Sequence, residues 1–411
     1  MTETISGLTM DYHHFREITL ELDGVEYHLV SKPGIAVWDH VDPAMQLLSE
    51  ALNPASTDTV LIWGCGHGLL GLVAAERVPR GHVLLVDDSC VAVEAARRTL
   101  ALNRITNAEV RLSAEAAIGD PAFDLVALVL PKGREATQLA LASAATALRI
   151  GGRLLLAGPT RGGVKSAIAR MEELFGNTET LRIKARHRVA VAVKCAPVAL
   201  PPSVSYAEAT AEVRGQIVRF VSRPGVFAGF ALDEGTRVLI EAMQLNPTDA
   251  VLDLGCGSGV VGLIAARLCP QGHVTLVDAS STAVEAARRT LALNGVTNAE
   301  VLVSDCAAAV FDREFDVVVT NPPFHQGFGV EYEVARQFIL DAARVLRPGG
   351  RLYLVANRFI RYDRWIEEAF GNVIAIYEDN RYRVLQAVKM RREGATHFGS
   401  ASHLTPQEVN P

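Results

Sequence analysis

One stretch of sequence occurs twice in this 411-residue chain, once in each half. Residues 93–110 have the sequence VEAARRTLALNRITNAEV, and residues 284–301 have the sequence VEAARRTLALNGVTNAEV. The copies differ only where Arg104 aligns with Gly295 and Ile105 aligns with Val296. Self-similarity at a fixed spacing is the signature of a duplicated structural unit. The chain is therefore predicted to contain two copies of one domain.

The repeat extends in both directions from this stretch. Residues 31–34 (SKPG) align with residues 222–225 (SRPG), and the sequence GGRL occurs at 151–154 and at 349–352. Between the copies lies a proline-rich segment, CAPVALPPSVS, in which fixed φ angles and missing donors disfavour a helix or a central strand. We predict a first domain at 1–197, a linker at 198–205, a second domain at 206–392 and a loose tail at 393–411.

Short apolar runs alternate with helical stretches within each copy. The strands predicted in the second copy cover residues 250–254, 273–277, 300–303, 315–320 and 351–356, and its two amphipathic helices cover 282–293 and 333–346. This alternation predicts an α/β fold with a parallel sheet that is covered by helices on both faces. The last segment, residues 382–389, is predicted to add an antiparallel strand.

The composition is that of a globular chain: 49% of the residues are hydrophobic and 21% are charged. No apolar run is long enough to cross a bilayer, so no membrane contact is expected. The first 21 residues lack the basic start and apolar centre of a signal peptide, which predicts a cytoplasmic protein.

The six cysteines form no CxxC pair, which argues against a disulfide framework or a metal site. A net charge of −6 allows only a local basic face for RNA.

A glycine-rich loop, DLGCGSG at residues 253–259, follows the first predicted strand of the second copy. Glycines let the backbone approach a ligand closely, and the helix predicted after the loop offers unpaired N–H groups. Gly257, Gly259 and Gly262 also satisfy the pattern G-x-G-x-x-G, with Asp278 at the end of the next strand. A nicotinamide dinucleotide is therefore an alternative at this point.

Three features favour S-adenosylmethionine instead. Asp253, two residues before the first glycine, is in reach of a cationic amino-acid moiety, which a dinucleotide lacks there. Asp305 follows the third strand, where a carboxylate can accept a hydrogen bond from an adenine amine, and the fourth strand leads directly into residues 321–324 (NPPF). The predicted cofactor-binding residues are Asp253, Gly255, Cys256, Gly257, Gly259, Asp278, Ala279, Ser304, Asp305 and Asn321.

The predicted catalytic residues are Asn321, Pro322, Pro323 and Phe324. An exocyclic amine or amide nitrogen is a poor nucleophile because its lone pair is delocalised. The Asn321 side-chain oxygen and the carbonyl of Pro322 can both accept hydrogen bonds from one NH₂ group, which favours a tetrahedral nitrogen. Pro322 and Pro323 fix φ, and Phe324 offers a face on which a planar base can stack. The motif predicts methyl transfer to a planar amine without a metal.

The second copy resembles the bacterial ribosomal RNA small-subunit guanine-N2 methyltransferases of the RsmC type. The resemblance is carried by residues 222–227 (SRPGVF), 253–259, 321–327 (NPPFHQG) and 355–357 (VAN), and it extends to the first copy through residues 130–134 and 157–165. It implies two tandem seven-stranded class I, Rossmann-like methyltransferase folds, with S-adenosylmethionine and substrate in the second. It also implies N2-methylguanine in 16S ribosomal RNA as the product.

Other functions remain open at this point. A close relative of the same family acts on large-subunit ribosomal RNA, and NPPF also occurs in methyltransferases that act on protein glutamine or other amines. The non-enzymatic alternative is that the protein is an RNA-binding ribosome assembly factor. The resemblance predicts ribosomal RNA or the small ribosomal subunit as the partner.

The first copy departs from a working site at the positions that matter. Ile62 replaces Asp253, Ala114 replaces Asp305, and residues 129–132 (VLPK) replace NPPF. Because the amide that would activate an amine is missing, this domain is predicted to be non-catalytic and to bind RNA or support the second domain.

Cations alternate near the end of the first copy and are predicted to lie on one face of a strand. Such a row would suit phosphates, although a solvated edge strand kept from aggregating by charge is an equal alternative. The RNA-binding candidates are Arg182, Lys184, Arg186, Arg188, Arg358 and Arg361.

Overall fold

The computed structural model describes residues 12–22, 24–113, 122–198, 206–323 and 330–390. Within these ranges the chain forms two similar α/β units, and each unit contains a two-stranded hairpin followed by a seven-stranded sheet. Residues 199–205 of the predicted linker and the whole predicted tail lie outside the described residues. The exact domain boundaries therefore stay a prediction.

The elements of the first unit are β1 (Arg16–Leu22), β2 (Val25–Ser31), α1 (Pro43–Ala51), β3 (Thr59–Trp63), α2 (Leu69–Arg77), β4 (His82–Asp87), α3 (Cys90–Leu102), β5 (Ala108–Leu112), β6 (Phe123–Val129), α4 (Arg134–Ala147), β7 (Leu148–Pro159), α5 (Val164–Phe175), β8 (Glu179–Lys184) and β9 (His187–Val193).

The elements of the second unit are β10 (Ala207–Val213), β11 (Gln216–Ser222), α6 (Glu234–Ala242), β12 (Ala250–Leu254), α7 (Val260–Leu268), β13 (His273–Asp278), α8 (Ser281–Leu293), β14 (Ala299–Val303), a 3₁₀ turn (Ala308–Val310), β15 (Phe315–Thr320), α9 (Val330–Val345), β16 (Leu346–Asn357), α10 (Tyr362–Phe370), β17 (Ile374–Glu378) and β18 (Tyr382–Val388).

Both sheets have the same strand order. It is β5-β4-β3-β6-β7-β9-β8 in the first unit and β14-β13-β12-β15-β16-β18-β17 in the second. The first five strands of each sheet are parallel, whereas β18 runs antiparallel to β16 and β17. The predicted α/β duplication and the antiparallel last strand are confirmed. Strand order reverses between β12 and β15, and ligands of such sheets bind at the carboxyl ends of the strands beside this switch point.

Strand β15 shows why the sheet forms. All six of its residues are buried, as expected for a parallel strand covered on both faces. Val317 and Val319 pack into the layer that contains α7, and Phe315 and Val318 pack into the opposite layer with α9. Val317, Val318 and Val319 alternate between the faces, and the strand pairing is irregular between Phe315 and Val317, which accounts for Phe315 lying in the α9 layer. This apolar run therefore holds both helical layers onto the sheet.

The two units meet through the turns that follow β4 and β13. The Cys90 N–H donates to the Ala279 carbonyl (2.9 Å), and the Ser281 N–H donates to the Asp88 carbonyl (2.7 Å). Cys90 and Ser281 are equivalent in the repeat, as are Asp88 and Ala279. Such reciprocal pairing of equivalent residues is typical of a two-fold contact. The carboxyl ends of β4 and β13 therefore face each other across an approximate two-fold axis.

The predicted row of cations on one strand is wrong. Strand β8 ends at Lys184, and Ala185 and Arg186 have positive φ angles of 47° and 63° in the two-residue turn that leads to β9. Arg188 lies on β9 directly opposite Ile183, and opposed side chains share a face. Arg188 is therefore on the other face from Arg182 and Lys184. The sequence hid this turn because Ala-Arg lacks the Gly or Asn that usually marks it.

No helix in the described part of the chain is long and apolar enough to cross a membrane.

Candidate active site

A cavity of about 770 Å³ opens at the carboxyl ends of β12, β13, β14 and β15, beside the switch point. This volume is within the range of small-molecule and cofactor sites. The predicted site residues that line it are Gly255, Gly257, Asp278, Ala279, Ser304, Asp305, Asn321, Pro322 and Pro323. The structure thus brings together residues that the sequence separates by more than sixty positions.

The glycine loop is fastened to the end of β13. The N–H groups of Gly255 and Cys256 both donate to the Val277 carbonyl, at 2.9 and 3.0 Å. Gly257 has a φ of +54°, which residues with a side chain rarely adopt, and a Cβ placed on it would meet nothing within 4 Å. The loop therefore presents bare backbone to open space, which is a cradle suited to a closely bound ligand.

Asp278 ends β13 in the wall of the cavity. Its Oδ2 accepts from the Gly257 N–H (3.0 Å), and its Oδ1 accepts from the Ser280 N–H (2.9 Å). Burial raises the pKa of Asp278, and these two hydrogen bonds oppose the rise. Each oxygen keeps acceptor capacity for a hydroxyl group. The acceptor oxygens of Asp278 therefore fit a ligand with a ribose.

Asp253 lies behind the glycine loop and is not among the residues that line the cavity. It is buried, and its carboxylate accepts from the Gly262 N–H in the first turn of α7 (2.8 Å). Burial raises the pKa of Asp253 to about 7, against the opposing effect of that hydrogen bond. Contact of this carboxylate with a cationic ligand stays a prediction.

Cys256 is buried, and Gly259 begins α7 as its N-cap.

Asn321 follows β15 and is held by two side chains of the α6 N-terminus. Its Nδ2 donates to Thr236 Oγ1 at 2.9 Å and to Asp233 Oδ2 at 3.2 Å. An ionised carboxylate only accepts hydrogen bonds, so the NH₂ group of Asn321 must face Asp233. The amide oxygen is left to accept from another group. Thr320 Oγ1 donates to the Leu254 carbonyl (2.7 Å), which keeps this end of β15 beside the glycine loop.

Sequence reasoning missed Asp233 and Thr236. An Asp three residues before a Thr at the start of an apolar helical pattern indicates a helix N-cap, and Asp233 does cap α6 by accepting from the Thr236 N–H (2.8 Å). Comparison of the two copies could have indicated the role of Thr236. The first copy keeps Asp42 as a helix cap but has Met45 where the second has Thr236.

The proline residues of the motif differ in their surroundings. Pro322 is buried and Pro323 is exposed. Phe324 lies outside the described residues, so its predicted stacking role stays a prediction.

The first unit also lines the cavity, through Tyr12, Gly34, Ala36, Val91 and Lys132. None of these was a predicted site residue of the second domain.

Asp305 carries two of the contacts between the units. The Tyr12 hydroxyl donates to its Oδ1 (3.0 Å), and the Lys32 ammonium donates to its Oδ2. Burial acts to raise the pKa of Asp305, but the hydrogen bond from His13 and the charge of Lys32 outweigh it and hold the pKa below its usual value.

The equivalent place in the first unit has kept its glycine loop and Asp87 but lacks counterparts of Asn321 and Asp253. The Gly66 N–H still donates to Asp87 (3.0 Å), but Val129 stands in the position of Asn321 and the fully buried Ile62 stands in that of Asp253. His67 is buried in this loop, and burial lowers its pKa to about 4. A valine accepts no hydrogen bond, so this unit has no counterpart of the amide acceptor.

Four of the six cationic candidates form ion pairs at the surface. Arg182 and Lys184 lie 3.9 and 3.0 Å from the Glu50 carboxylate. Arg358 pairs with Glu378, and Arg361 pairs with Asp363. Ion pairs with exposed cations contribute little to stability, so they leave the cations available to a phosphate. Within the described ranges, no group of three or more His, Cys, Asp or Glu side chains is arranged to hold a metal ion.

Comparison with known proteins gives the same picture. The family model described as "Methyltransferase small domain" matches residues 26–191 and 217–386, one match in each unit. The "Ribosomal RNA small subunit methyltransferase C" of Hahella chejuensis is 37% identical over 279 residues, which is 66% of this chain and 79% of that protein. The protein of the same name from Pseudomonas entomophila is 38% identical over 275 residues, 66% of this chain and 81% of its own.

A solved structure covers nearly the whole chain. It is the "T. Thermophilus 16S rRNA N2 G1207 methyltransferase (RsmC) in complex with AdoMet and Guanosine", which is 33% identical and has a TM-score of 0.79. The match covers 92% of this chain and 98% of that one. The chain therefore belongs to the methyltransferase small domain family and, within it, to the ribosomal RNA small subunit methyltransferases C.

Proposed function

We propose that this protein transfers the methyl group of S-adenosylmethionine to the exocyclic N2 amine of a guanine in small-subunit ribosomal RNA. The observation that carries the proposal is the amide of Asn321, which lies in a cofactor-sized cavity with its NH₂ group held by Asp233 and Thr236. The T. thermophilus relative was solved with AdoMet and guanosine, a cofactor and a nucleoside that suit this arrangement. Membership in this family disfavours the dinucleotide alternative.

The cavity residues divide into three groups by the part of the cofactor they would hold. The backbone at Gly255 and Gly257, backed by Cys256, Gly259 and Asp253, suits the methionine end. Asp278, beside Ala279, suits the ribose hydroxyls, and Ser304 and Asp305 suit the adenine amine. The bound cofactor supplies a methyl group that its sulfonium has already activated.

The motif at the end of β15 prepares the attacking nitrogen. The Asn321 amide oxygen and the Pro322 carbonyl accept the two hydrogens of the guanine amine, which concentrates its lone pair on nitrogen. Pro322 and Pro323 restrict the backbone, so both acceptors keep their positions without reorganisation. Phe324 is proposed to stack on the base, which must first be unstacked from the RNA.

We assign catalysis to residues 206–392 and a supporting, RNA-contacting role to residues 1–197. Ile62, Met45 and Val129 in the first unit support this division because they replace polar residues of the second-unit site. Contact with RNA phosphates is proposed for Arg182, Lys184, Arg186, Arg188, Arg358 and Arg361. Because Ala185 and Arg186 form a turn, the cations near it lie on different faces and are proposed to make separate phosphate contacts, not one continuous row.

The proposal is tested by mapping modified nucleotides in a deletion strain with and without the gene restored. Mass spectrometry of small-subunit RNA should show one N2-methylguanine that is lost on deletion and regained on restoration. Loss of a methyl group from large-subunit RNA instead would assign the enzyme to the other ribosomal substrate. Methyl label that enters only protein would overturn an RNA substrate altogether.

Replacing Thr236 with valine is expected to lower kcat about fivefold, because Asn321 loses a neutral hydrogen bond worth about 1 kcal/mol. The Kd for S-adenosylmethionine should be unchanged, since Thr236 does not line the cavity. The matched control is Met45→Thr at the equivalent position of the first unit, which should leave kcat unaltered. Steady-state kinetics with both variants would refute the positioning role if kcat fell equally in the two.

The affinity for S-adenosylmethionine is expected to rise between pH 6 and pH 8. With a pKa of about 7, Asp253 is mostly protonated at pH 6 and mostly ionised at pH 8 in the cofactor-free protein. A cationic ligand favours the ionised form, so binding at pH 6 should release a proton from this group and binding at pH 8 almost none. Calorimetry in two buffers of different ionisation enthalpy measures the release. The Asp253→Asn variant should lose this component, and equal proton release in wild type and variant would contradict the assignment.

A further inference from the structure

The Asp305 carboxylate, in the wall of the proposed cofactor site, is held from the other half of the chain. Tyr12 and Lys32, both from the first unit, donate to its two oxygens. Lys32 has no exposed side-chain surface, whereas Asp305 keeps 22% of its own exposed. Asp305 also lines the cavity. Within the pair, Lys32 is therefore enclosed by protein, whereas Asp305 is open to the cavity.

The surroundings of the Lys32 ammonium favour its pairing with the Asp305 carboxylate. Its Nζ lies 3.8 Å from the centre of the Tyr12 ring and 5.6 Å from that of Phe15, so aromatic faces cover the charge. A buried ammonium must be paired, because an uncompensated charge away from water is strongly destabilising. His13 is a second group that favours the ionised carboxylate: its Nδ1 lies 3.8 Å from Asp305 and its Nε2 lies 3.5 Å from Asp341, and hydrogen bonding to these two carboxylates raises the pKa of His13 to about 9.

Backbone hydrogen bonds hold the two units together next to the Lys32–Asp305 pair. The reciprocal hydrogen bonds between Cys90 and Ala279 and between Ser281 and Asp88 join the units at the turn after Asp278. Ala279 and Asp278 both line the cavity. The position of Lys32 relative to the ribose and adenine parts of the site is therefore set by the contact between the units.

The two residues of the pair have different equivalents in the other copy. The residue equivalent to Lys32 in the second unit is Arg223, so a cation is present in both copies. The residue equivalent to Asp305 in the first unit is Ala114, which carries no carboxylate. The carboxylate occurs in the copy that kept its polar site residues.

We propose that Lys32 is a positioning residue for S-adenosylmethionine, which holds the Asp305 carboxylate so that its remaining acceptor site receives the adenine N6 amine. The inference rests on the proposed function for the identity of the cofactor. A carboxylate has about four acceptor sites, and Tyr12, Lys32 and His13 use three of them, which leaves one for the amine. The non-catalytic unit thereby supplies part of the adenine recognition.

The test compares S-adenosylhomocysteine with S-inosylhomocysteine, in which an oxygen replaces the N6 amine, as ligands of the full chain in calorimetry. Wild type should prefer the adenosyl compound by about tenfold or more, because an ionised Asp305 accepts from an amine and repels a carbonyl oxygen. In Lys32→Met, Asp305 loses the group that holds its Oδ2, so the carboxylate is no longer fixed toward the N6 position, while Tyr12 and His13 still favour its ionised form. The adenosyl compound should then bind about tenfold more weakly and the preference should fall to about threefold or less.

The matched control is Lys194→Met, which removes another buried lysine of the first unit. Lys194 donates to the carbonyls of Ala145 and Leu148, both at 2.6 Å, and is not among the residues that line the cavity. This variant should melt at a lower temperature but keep both wild-type affinities. If Lys32→Met also keeps the wild-type affinity and preference, Lys32 only joins the units and the proposal is overturned.

A second variant decides the matter if Lys32→Met does not fold. Tyr12→Phe removes only the hydroxyl that donates to Asp305, and it should reduce the preference about threefold. An unchanged preference in Tyr12→Phe would overturn the proposal. Wild-type protein that binds neither compound would instead overturn the proposed function, so the two failures are distinguishable.

Discussion

Replacing Asn321 with alanine is expected to lower kcat for methylation of small-subunit ribosomal RNA by about 10²–10³-fold, the size of effect seen when a preorganised polar group is removed from an active site. In the proposed mechanism the amide oxygen accepts from the target amine only while the nitrogen becomes tetrahedral, so its loss should appear in kcat. The Kd for S-adenosylmethionine should stay within about twofold, because the glycine loop and Asp278 remain intact. Single-turnover methylation and calorimetry measure the two quantities separately.

Two further variants sharpen this result. Asn321→Asp preserves the shape but places a second carboxylate against Asp233, whose Oδ2 now lies 3.2 Å from the Asn321 nitrogen, so activity should be lost as well. Val129→Asn in the first unit should add no second activity, because Ile62 and Met45 leave that unit without the other polar residues. Wild-type rates in Asn321→Ala would refute the proposed amine activation.

The sequence predicted the fold well where burial is continuous. The strands at 250–254 and 315–320 have the bounds of β12 and β15, because parallel strands covered on both faces are apolar throughout. The hairpins were not predicted. β10 and β11 are joined by Arg214 and Gly215, with φ angles of 50° and 66°, and half of the residues in these strands face solvent. An exposed, two-stranded element has little apolar pattern to reveal it.

The candidate site was predictable only in part, for a reason of geometry. Residues that follow parallel strands meet at one edge of the sheet, so Gly255, Asp278, Asp305 and Asn321 could be placed together from strand order alone. The side chains that orient them come from far along the chain. Thr236 lies 85 positions from Asn321, and Tyr12 lies 293 positions from Asp305. Contacts at such separations depend on how elements and domains dock, which no local pattern encodes.

Replacing Gly259 with alanine is the second change expected to have a large effect. Gly259 has a φ of +80°, and a Cβ there would lie 2.8 Å from the Ala287 Cβ on α8 and 3.0 Å from its Cα. The left-handed backbone alone costs an alanine about 1–2 kcal/mol, and backbone contacts that close must be relieved by moving α7 or α8. Both helices start beside the cavity, so the glycine loop should shift and binding of S-adenosylmethionine should be lost.

The duplication offers a control for this change that a single domain lacks. Gly68 is the equivalent residue of the first unit, with a φ of +94° and a hypothetical Cβ 3.0 Å from the Ala96 Cα. Gly68→Ala should therefore lower the melting temperature about as much as Gly259→Ala does. Because Val129 and Ile62 replace Asn321 and Asp253 in the first unit, which we propose to be non-catalytic, Gly68→Ala should keep methyl transfer at temperatures where it is folded. Loss of transfer in folded Gly68→Ala protein would show instead that the first glycine loop takes part in the reaction.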